Sequence, residues 1–329
     1  MQQITLGQSG RQTTRLGFGC SSIMGAMGRR ESLALLEAAY DAGVRHFDVA
    51  PMYGFGEAES CLGEFLVRHR ADVTVTTKYG IPPAQNRSLL SLGRRIAGPV
   101  VKRLPGVKQR LAKAANAVVS APQKSSFTPL EAKQSLDRSL AALRTDHIDL
   151  WLLHEAEASD LSDDGLLRLL EDETQKGTIG TFGIGSGCEK IPDLTAMRPQ
   201  YCRTLQYEWS VLDAPIAEGN VFRIHHRALT NNFRALHAVL VQHAETCRRW
   251  SDAVGSDLNN ANNLAALMLK ASLAVNPASI ILFSSKSAQH IQANVATARN
   301  ATIEAAARQL YQLVQSERAS LLSNAGADR

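Results

Sequence analysis

A repeated pattern along the whole chain constrains its fold more than any other feature: short β-rich runs alternate with longer stretches that have helical spacing. Eight such runs occur, at residues 15–20, 45–49, 73–78, 148–154, 181–186, 204–207, 221–225 and 280–284, with helix-like segments such as 30–42, 57–70, 129–143 and 162–176 between them. Strands that alternate with crossover helices belong to a parallel sheet. An open doubly wound sheet more often has about six strands. The pattern therefore predicts a single α/β domain over residues 1–329, a closed (β/α)8 TIM barrel.

Two segments fall outside this repeat. Residues 6–15 contain a Gly-Gln-Ser-Gly turn, which predicts an N-terminal β-hairpin that caps the bottom of the barrel. Residues 81–127 form a long insertion after strand 3 that carries nine Lys or Arg and no Asp or Glu. As a βα loop it would lie on the catalytic face, where a lid over the substrate is one interpretation. An ordinary solvated helix–loop excursion is a second interpretation. An anionic partner is a third, but no aromatic residues alternate with the charges as single-strand binding requires.

The composition excludes several classes of protein. No stretch reaches the roughly 18 consecutive apolar residues of a membrane span, and residues 1–10 do not resemble a signal peptide. Five cysteines without a CxxC pair indicate reduced thiols. We therefore expect a cytoplasmic protein with no membrane and no nucleic-acid partner. We also expect no metal, because the adjacent His225 and His226 point to opposite sides of a strand.

Four ionisable residues lie at consecutive predicted strand ends, which meet at one mouth of a barrel. Asp48 ends the second strand with Tyr53 just beyond it, Lys78 ends the third strand, and His154 ends the fourth. Each has a structural alternative: a capping acid, a rim aromatic, an exposed lysine and a core histidine. Together they predict an acid–base device, in which Lys78 lowers the pKa of the Tyr53 phenol and Asp48 keeps Lys78 charged. His154 would orient a substrate carbonyl.

Such a set suits the reduction of a carbonyl or the reverse oxidation of an alcohol, and a nicotinamide cofactor must supply the hydride. The same residues resemble the aldo-keto reductase family. The resemblance is carried by HFDVAPMYGFGEAESCLGEFL at 46–66, by VTVTTK ending in Lys78 and by DLWLLH ending in His154. It implies Tyr53, Asp48, Lys78 and His154 as catalytic residues, and a barrel that binds NADPH, less often NADH, without a Rossmann domain.

The resemblance also implies cofactor contacts. Ser186, preceded by Gly185 where the family usually has Ser-Asn, and Gln206 would meet the nicotinamide carboxamide. His225 would replace the tyrosine that stacks on the nicotinamide ring. The remaining candidates lie in ILFSSKSAQHIQANV: Ser284, Ser285 and Lys286 for the ribose 2′-phosphate, and Gln289 and Asn294 for adenine. One lysine and two hydroxyls suit a phosphate, so NADP(H) is favoured and NAD(H) is possible.

Two functions remain open at the level of sequence. The first is an NAD(P)H-dependent oxidoreductase that reduces aldehydes or ketones to alcohols, or oxidises sugar-type alcohols, with a small carbonyl or sugar-type substrate. The second is a catalytically silent regulatory or scaffold subunit that kept the fold and the cofactor.

Overall fold

The computed structural model describes residues 1–25, 27–83, 124–215, 219 and 221–318. The predicted insertion at 81–127 therefore lies largely outside the described residues, and only its two ends are seen. The strand before it ends at Tyr79 and the helix after it begins at Pro129.

A closed barrel of eight parallel strands forms the centre of the fold, which confirms the predicted architecture. After a short hairpin, β1 and β2, the barrel strands follow in chain order, and β10 closes the ring between β9 and β3. The bounds are β1 Gln3–Thr5, β2 Gln12–Thr14, β3 Leu16–Gly19, β4 His46–Asp48, β5 Thr74–Tyr79, β6 Ile148–His154, β7 Ile179–Gly185, β8 Thr204–Glu208, β9 Phe222–His226 and β10 Ser279–Phe283.

Ten α-helices lie in the described residues, most of them as crossovers between strands. Their bounds are α1 Arg29–Asp41, α2 Ala58–His69, α3 Pro129–Leu143, α4 Asp164–Gln175, α5 Ile191–Met197, α6 Thr230–Gln242, α7 Ala244–Val254, α8 Ala261–Val275, α9 Ala288–Arg299 and α10 Glu304–Ser316. Local sequence fixes several helix starts: the Thr128 hydroxyl accepts from the Glu131 amide at 3.3 Å, with Pro129 in the first position of α3. None of the described helices combines the length and the apolar character that a membrane crossing needs.

Side chains fill the barrel from within and cover it from without. The interior is packed by an aliphatic cluster that includes Leu150, Leu152, Ile224 and Ile280. Residues between these on the strands, such as Trp151, point outward into the main core under the helices. This alternation assigns each strand residue to the interior or to the outer layer, and it decides which residues reach the mouth.

The hairpin closes the N-terminal end of the barrel, as predicted. Leu6 at its turn belongs to the interior cluster. Beside it the buried carboxylate of Asp149 accepts from the Val75 amide at 2.8 Å and pairs with Arg70 at 3.0 Å and with Arg11 at 3.4 Å. Polar groups at this end thus hold the hairpin and strands together, while the opposite end carries the candidate site.

Candidate active site

A buried ion pair forms the centre of the barrel mouth. The Lys78 ammonium donates to Asp48 Oδ1 at 2.5 Å and to the backbone oxygen of Val49 at 3.1 Å. Lys78 is 1% exposed and Asp48 is 3% exposed. Burial alone would lower the pKa of Lys78, but the charges of Asp48 and Tyr53 and the hydrogen bond that Lys78 donates to Asp48 outweigh it, so the pKa is raised. The lysine is therefore a fixed cation at neutral pH.

Tyr53 is brought over this pair by the turn that follows β4. Its amide donates to the Ala50 oxygen at 3.0 Å, and the Lys78 nitrogen lies 5.3 Å from the centre of its ring. The turn continues through Gly54 with φ of 58°. A Cβ at Gly54 would stand 2.5 Å from the Cβ of Met24, so only glycine allows this loop to close on its neighbour.

The protonation of Tyr53 differs from the sequence-based expectation. Lys78 lowers the pKa of the phenol through its charge and a hydrogen bond, as predicted. Burial of the phenol is the larger effect and the Asp48 charge adds to it, so the net pKa is raised. The predicted effect of Lys78 is therefore present, and the net rise comes from desolvation, which the prediction did not consider. Without a cofactor, Tyr53 is a protonated acid at neutral pH.

His154 ends β6 beside the ion pair. Its Nδ1 is buried and has no hydrogen-bond partner among the described residues. Burial, followed by the charge of Lys78, lowers its pKa to about 3. The imidazole is therefore neutral at neutral pH, and a neutral imidazole can donate a hydrogen bond to a substrate oxygen from one ring nitrogen.

Gln206 contacts Asp48 of the buried ion pair directly, which the sequence did not predict. Its Nε2 donates to Asp48 Oδ2 at 2.7 Å, across 158 positions of sequence. Gly185 lies beside it, and a Cβ there would be in van der Waals contact with Gln206 Oε1, at 3.5 Å. Ser186 is buried, and its hydroxyl donates to the Ala156 oxygen at 3.1 Å. Gln206 and Ser186 thus lie close together, joined by a hydrogen bond from the Ser186 backbone amide to the Gln206 backbone oxygen.

His225 lies on the wrong face of its strand to stack on a nicotinamide ring at the mouth. It is 0% exposed, and it packs in the outer layer with its ring centre 4.8 Å from that of Tyr207 and 5.7 Å from that of Trp209. The next residue, His226, shares the inner face with Ile224 of the interior cluster. The charges of Asp48 and Lys78 reach His226, whose pKa burial lowers to about 4. The structure therefore places His226, and not His225, at the mouth.

The loop after β10 carries the predicted phosphate contacts. The Ser284 hydroxyl donates to the Gly19 oxygen at 2.8 Å, and that of Ser285 donates to the Ser287 oxygen at 3.0 Å. Both hydroxyls thus hold the loop that leads into α9, whereas the Lys286 side chain is exposed. On α9 itself, Gln289 is exposed and Asn294 is half-buried. A cation beside a helix N-terminus is a suitable environment for a phosphate.

Taken together, these residues fit a nicotinamide cofactor. The mouth offers the Gln206 amide, with no side chain between it and Gly185, and the loop after β10 offers a lysine next to the N-terminus of α9, which no side chain of the cap residue caps. The four predicted catalytic residues surround one small region. The sequence analysis missed the contact between Gln206 and Asp48. It also missed the position of His226, although side chains alternate in direction along a strand and the apolar Ile224 marks the inner face.

Comparisons with known proteins agree with this fold. A model of the Aldo/keto reductase family matches residues 15–309. The chain is similar to pyridoxal 4-dehydrogenase of Microbacterium luteolum, at 36% identity over 102 residues (27% of the chain, 30% of the relative). It is also similar to D-threo-aldose 1-dehydrogenase of Pseudomonas sp, at 32% over 177 residues (52% and 49%). The matched segments thus span less than half of either relative. The crystal structure of an aldo-keto reductase from Klebsiella pneumoniae in complex with NADPH shares the fold, with a TM-score of 0.61, 19% identity and coverage of 94% of this chain and 96% of that one.

Proposed function

The chain belongs to the aldo/keto reductase family, and on this premise we propose that it is an NADP-dependent oxidoreductase with Tyr53 as its general acid and base. It reduces an aldehyde or ketone to an alcohol, or oxidises a sugar-type alcohol in the reverse direction. One observation carries the proposal: the buried Lys78 ammonium is held by Asp48 at 2.5 Å and lies beside the Tyr53 phenol. A buried ion pair next to a phenol contributes little to stability, but it prepares that phenol for proton transfer.

Each residue has a separate task in this proposal. Tyr53 gives its proton to the substrate oxygen during reduction and takes it back during oxidation. Lys78 stabilises the phenolate that remains, and Asp48 keeps Lys78 charged and directed. Neutral His154 donates a hydrogen bond to the carbonyl and orients it. The nicotinamide supplies or accepts the hydride when it is bound.

The cofactor residues follow from the mouth and from the loop after β10. Gln206 and Ser186 would hold the carboxamide, and His226 would lie against the nicotinamide ring. Lys286 would pair with the 2′-phosphate, supported by Ser284 and Ser285, with Gln289 and Asn294 near the adenine. The exposed ammonium of Lys286 beside the start of α9 favours NADP(H) over NAD(H).

A cofactor titration followed by a substrate panel tests the proposal. NADPH and NADH are titrated separately by fluorescence. The better cofactor is then used in its reduced form with aldehydes and ketones and in its oxidised form with sugars, including aldoses and also pyridoxal because two relatives are dehydrogenases named for them. Tyr53→Phe should lower turnover by about 100- to 10,000-fold and leave cofactor affinity unchanged. Lys286→Ala should weaken NADPH binding and spare NADH binding. Binding of NADPH with no turnover across the panel would favour the silent subunit instead.

A matched pair of variants tests the position of His226. His226→Ala should weaken cofactor binding, because it removes a ring from the mouth. His225→Ala should lower stability, since it opens a cavity beside Tyr207 and Trp209, and should change cofactor affinity little. The opposite result, with His225→Ala acting on affinity, would return the stacking role to His225.

A further inference from the structure

We propose that Gln206 is a positioning residue that joins the cofactor pocket to the Asp48–Lys78 ion pair, so that the binding of the nicotinamide carboxamide depends on the Asp48 carboxylate. This inference rests on the proposed cofactor. A contact between Gln206 and the carboxamide would not by itself require a hydrogen bond from Gln206 to Asp48. Asp48 and Gln206 are both 3% exposed, so their contact is shielded from water.

The geometry gives each oxygen of Asp48 its own donor. Lys78 donates to Oδ1 at 2.5 Å and Gln206 Nε2 donates to Oδ2 at 2.7 Å. The carboxylate is therefore held at both oxygens. If Gln206 is lost, one buried carboxylate oxygen loses its donor, and Asp48 can turn relative to Lys78.

The polarity of the Gln206 amide follows from its partner. An ionised carboxylate only accepts hydrogen bonds, so the NH₂ end of the amide must face Asp48 and Oε1 must face away. A Cβ at Gly185 would lie 3.5 Å from Oε1, in ordinary van der Waals contact, so the missing side chain leaves this oxygen uncovered on the Gly185 side. A carboxamide has N–H donors, and Oε1 is the complementary acceptor. Asp48 thus fixes which end of Gln206 the cofactor meets.

This arrangement has an energetic consequence. Because Asp48 already orients the glutamine side chain, the cofactor does not have to order it on binding. Coupling of this kind is reciprocal, so the cofactor in turn steadies the carboxylate that directs Lys78. Gln206 acts on proton transfer only through Asp48 and Lys78.

A double-mutant cycle on NADPH affinity tests the link without any substrate. The variants are Gln206→Met, Asp48→Asn and their combination, with dissociation constants from fluorescence titration and unfolding curves for each protein. In the parent protein, Gln206→Met should weaken NADPH binding by about tenfold. With Asp48→Asn, where the new amide N–H can turn the Gln206 amide around, the same change should cost less than about threefold. A merely structural role would lower stability and would cost the same factor in both backgrounds.

Ser186→Ala is the matched control, because Ser186 is also proposed to meet the carboxamide but its hydroxyl donates to the Ala156 backbone. Its effect on NADPH affinity should be equal in both backgrounds. If Asp48→Asn does not fold, the Asp48→Asn/Lys78→Met background removes both charges and serves instead. An equal cost of Gln206→Met in either background would overturn the inference even if the parent protein turns over carbonyls. If the parent protein binds NADPH but reduces no carbonyl, the proposed function is wrong. The double-mutant cycle on NADPH affinity still decides whether Gln206 and Asp48 are coupled.

Discussion

Replacing Asp48 with asparagine should destabilise the protein strongly, because it leaves a buried cation without its counter-ion. Lys78 is 1% exposed and its nitrogen lies 2.5 Å from Asp48 Oδ1. Breaking a buried pair by removing one partner costs about 3–5 kcal/mol of the free energy of unfolding. Asparagine has the same shape as aspartate, so the loss is electrostatic and not a matter of packing.

The loss should depend on pH in a defined direction. In the parent protein the pKa of Lys78 is raised, so its contribution is fully present below the unfolded pKa of about 10.4 and is lost only as the pH rises through the higher folded value. In Asp48→Asn, the charge that raises the pKa of Lys78 is removed. Burial then lowers the pKa of Lys78 in the folded protein below its value in the unfolded chain. The unfolded chain then binds the proton more tightly, so stability falls as the pH is lowered through the window between the two values. The slope approaches about 1.4 kcal/mol per pH unit.

Urea unfolding followed by circular dichroism at pH 6, 7, 8 and 9 measures both effects. The deficit of Asp48→Asn relative to the parent protein should grow from pH 9 to pH 6. The matched control is Asp48→Asn/Lys78→Met, which removes both charges and should recover stability to within about 2 kcal/mol of the parent, with no such slope. A deficit that is constant with pH, or a double variant as unstable as the single one, would refute this reasoning.

Three further predictions concern stability away from the mouth. Arg144 ends α3 with φ of 53°, so Arg144→Gly should raise the free energy of unfolding by about 1 kcal/mol, measurable as a small rise in Tm. Gly63→Ala should cost about 3 kcal/mol, because its Cβ would stand 2.3 Å from a backbone oxygen of α3, whereas Gly28→Ala, with no atom within 4 Å, should be nearly neutral. Asp149→Asn should cost about 2–3 kcal/mol at pH 7 without changing NADPH affinity, as it lies at the far end of the barrel. Because the pKa of Asp149 is lowered, acid titration should show this contribution vanish in the parent protein as the pH falls below about 4.

The positions of the candidate catalytic residues could be predicted from sequence because they depend on strand order and strand ends. Asp48, Lys78 and His154 each close a recognisable β-rich run, and parallel strands in a barrel bring such ends to one mouth. The choice between His225 and His226 could not be made in the same way. Adjacent residues face opposite sides of a strand, so an error of one position moves a side chain from the mouth to the outer layer.

Contacts between distant strands also could not be predicted from the sequence. The bond from Gln206 to Asp48 joins β8 to β4 across the interior of the barrel, and no local pattern encodes it. The resemblance gave Gln206 a role toward the cofactor and left its second partner unseen. The sequence likewise identified the charges around Tyr53 but not the depth of burial, which proved to be the larger influence on its pKa.

The raised pKa of Tyr53 predicts different pH dependences for the two directions of the reaction. Reduction needs the protonated phenol, which is the dominant form at neutral pH, so its rate should not change with Tyr53 ionisation between pH 6 and pH 8. Oxidation needs the phenolate as a base, and its fraction rises about tenfold per pH unit below the pKa. His154, with a pKa of about 3, stays neutral in this range and adds no second limb to either profile. Single-turnover rates with saturating cofactor in both directions, compared with Tyr53→Phe, measure the difference. An oxidation rate that is flat from pH 6 to pH 9 would mean that Lys78 outweighs burial and that the phenolate is already formed at neutral pH.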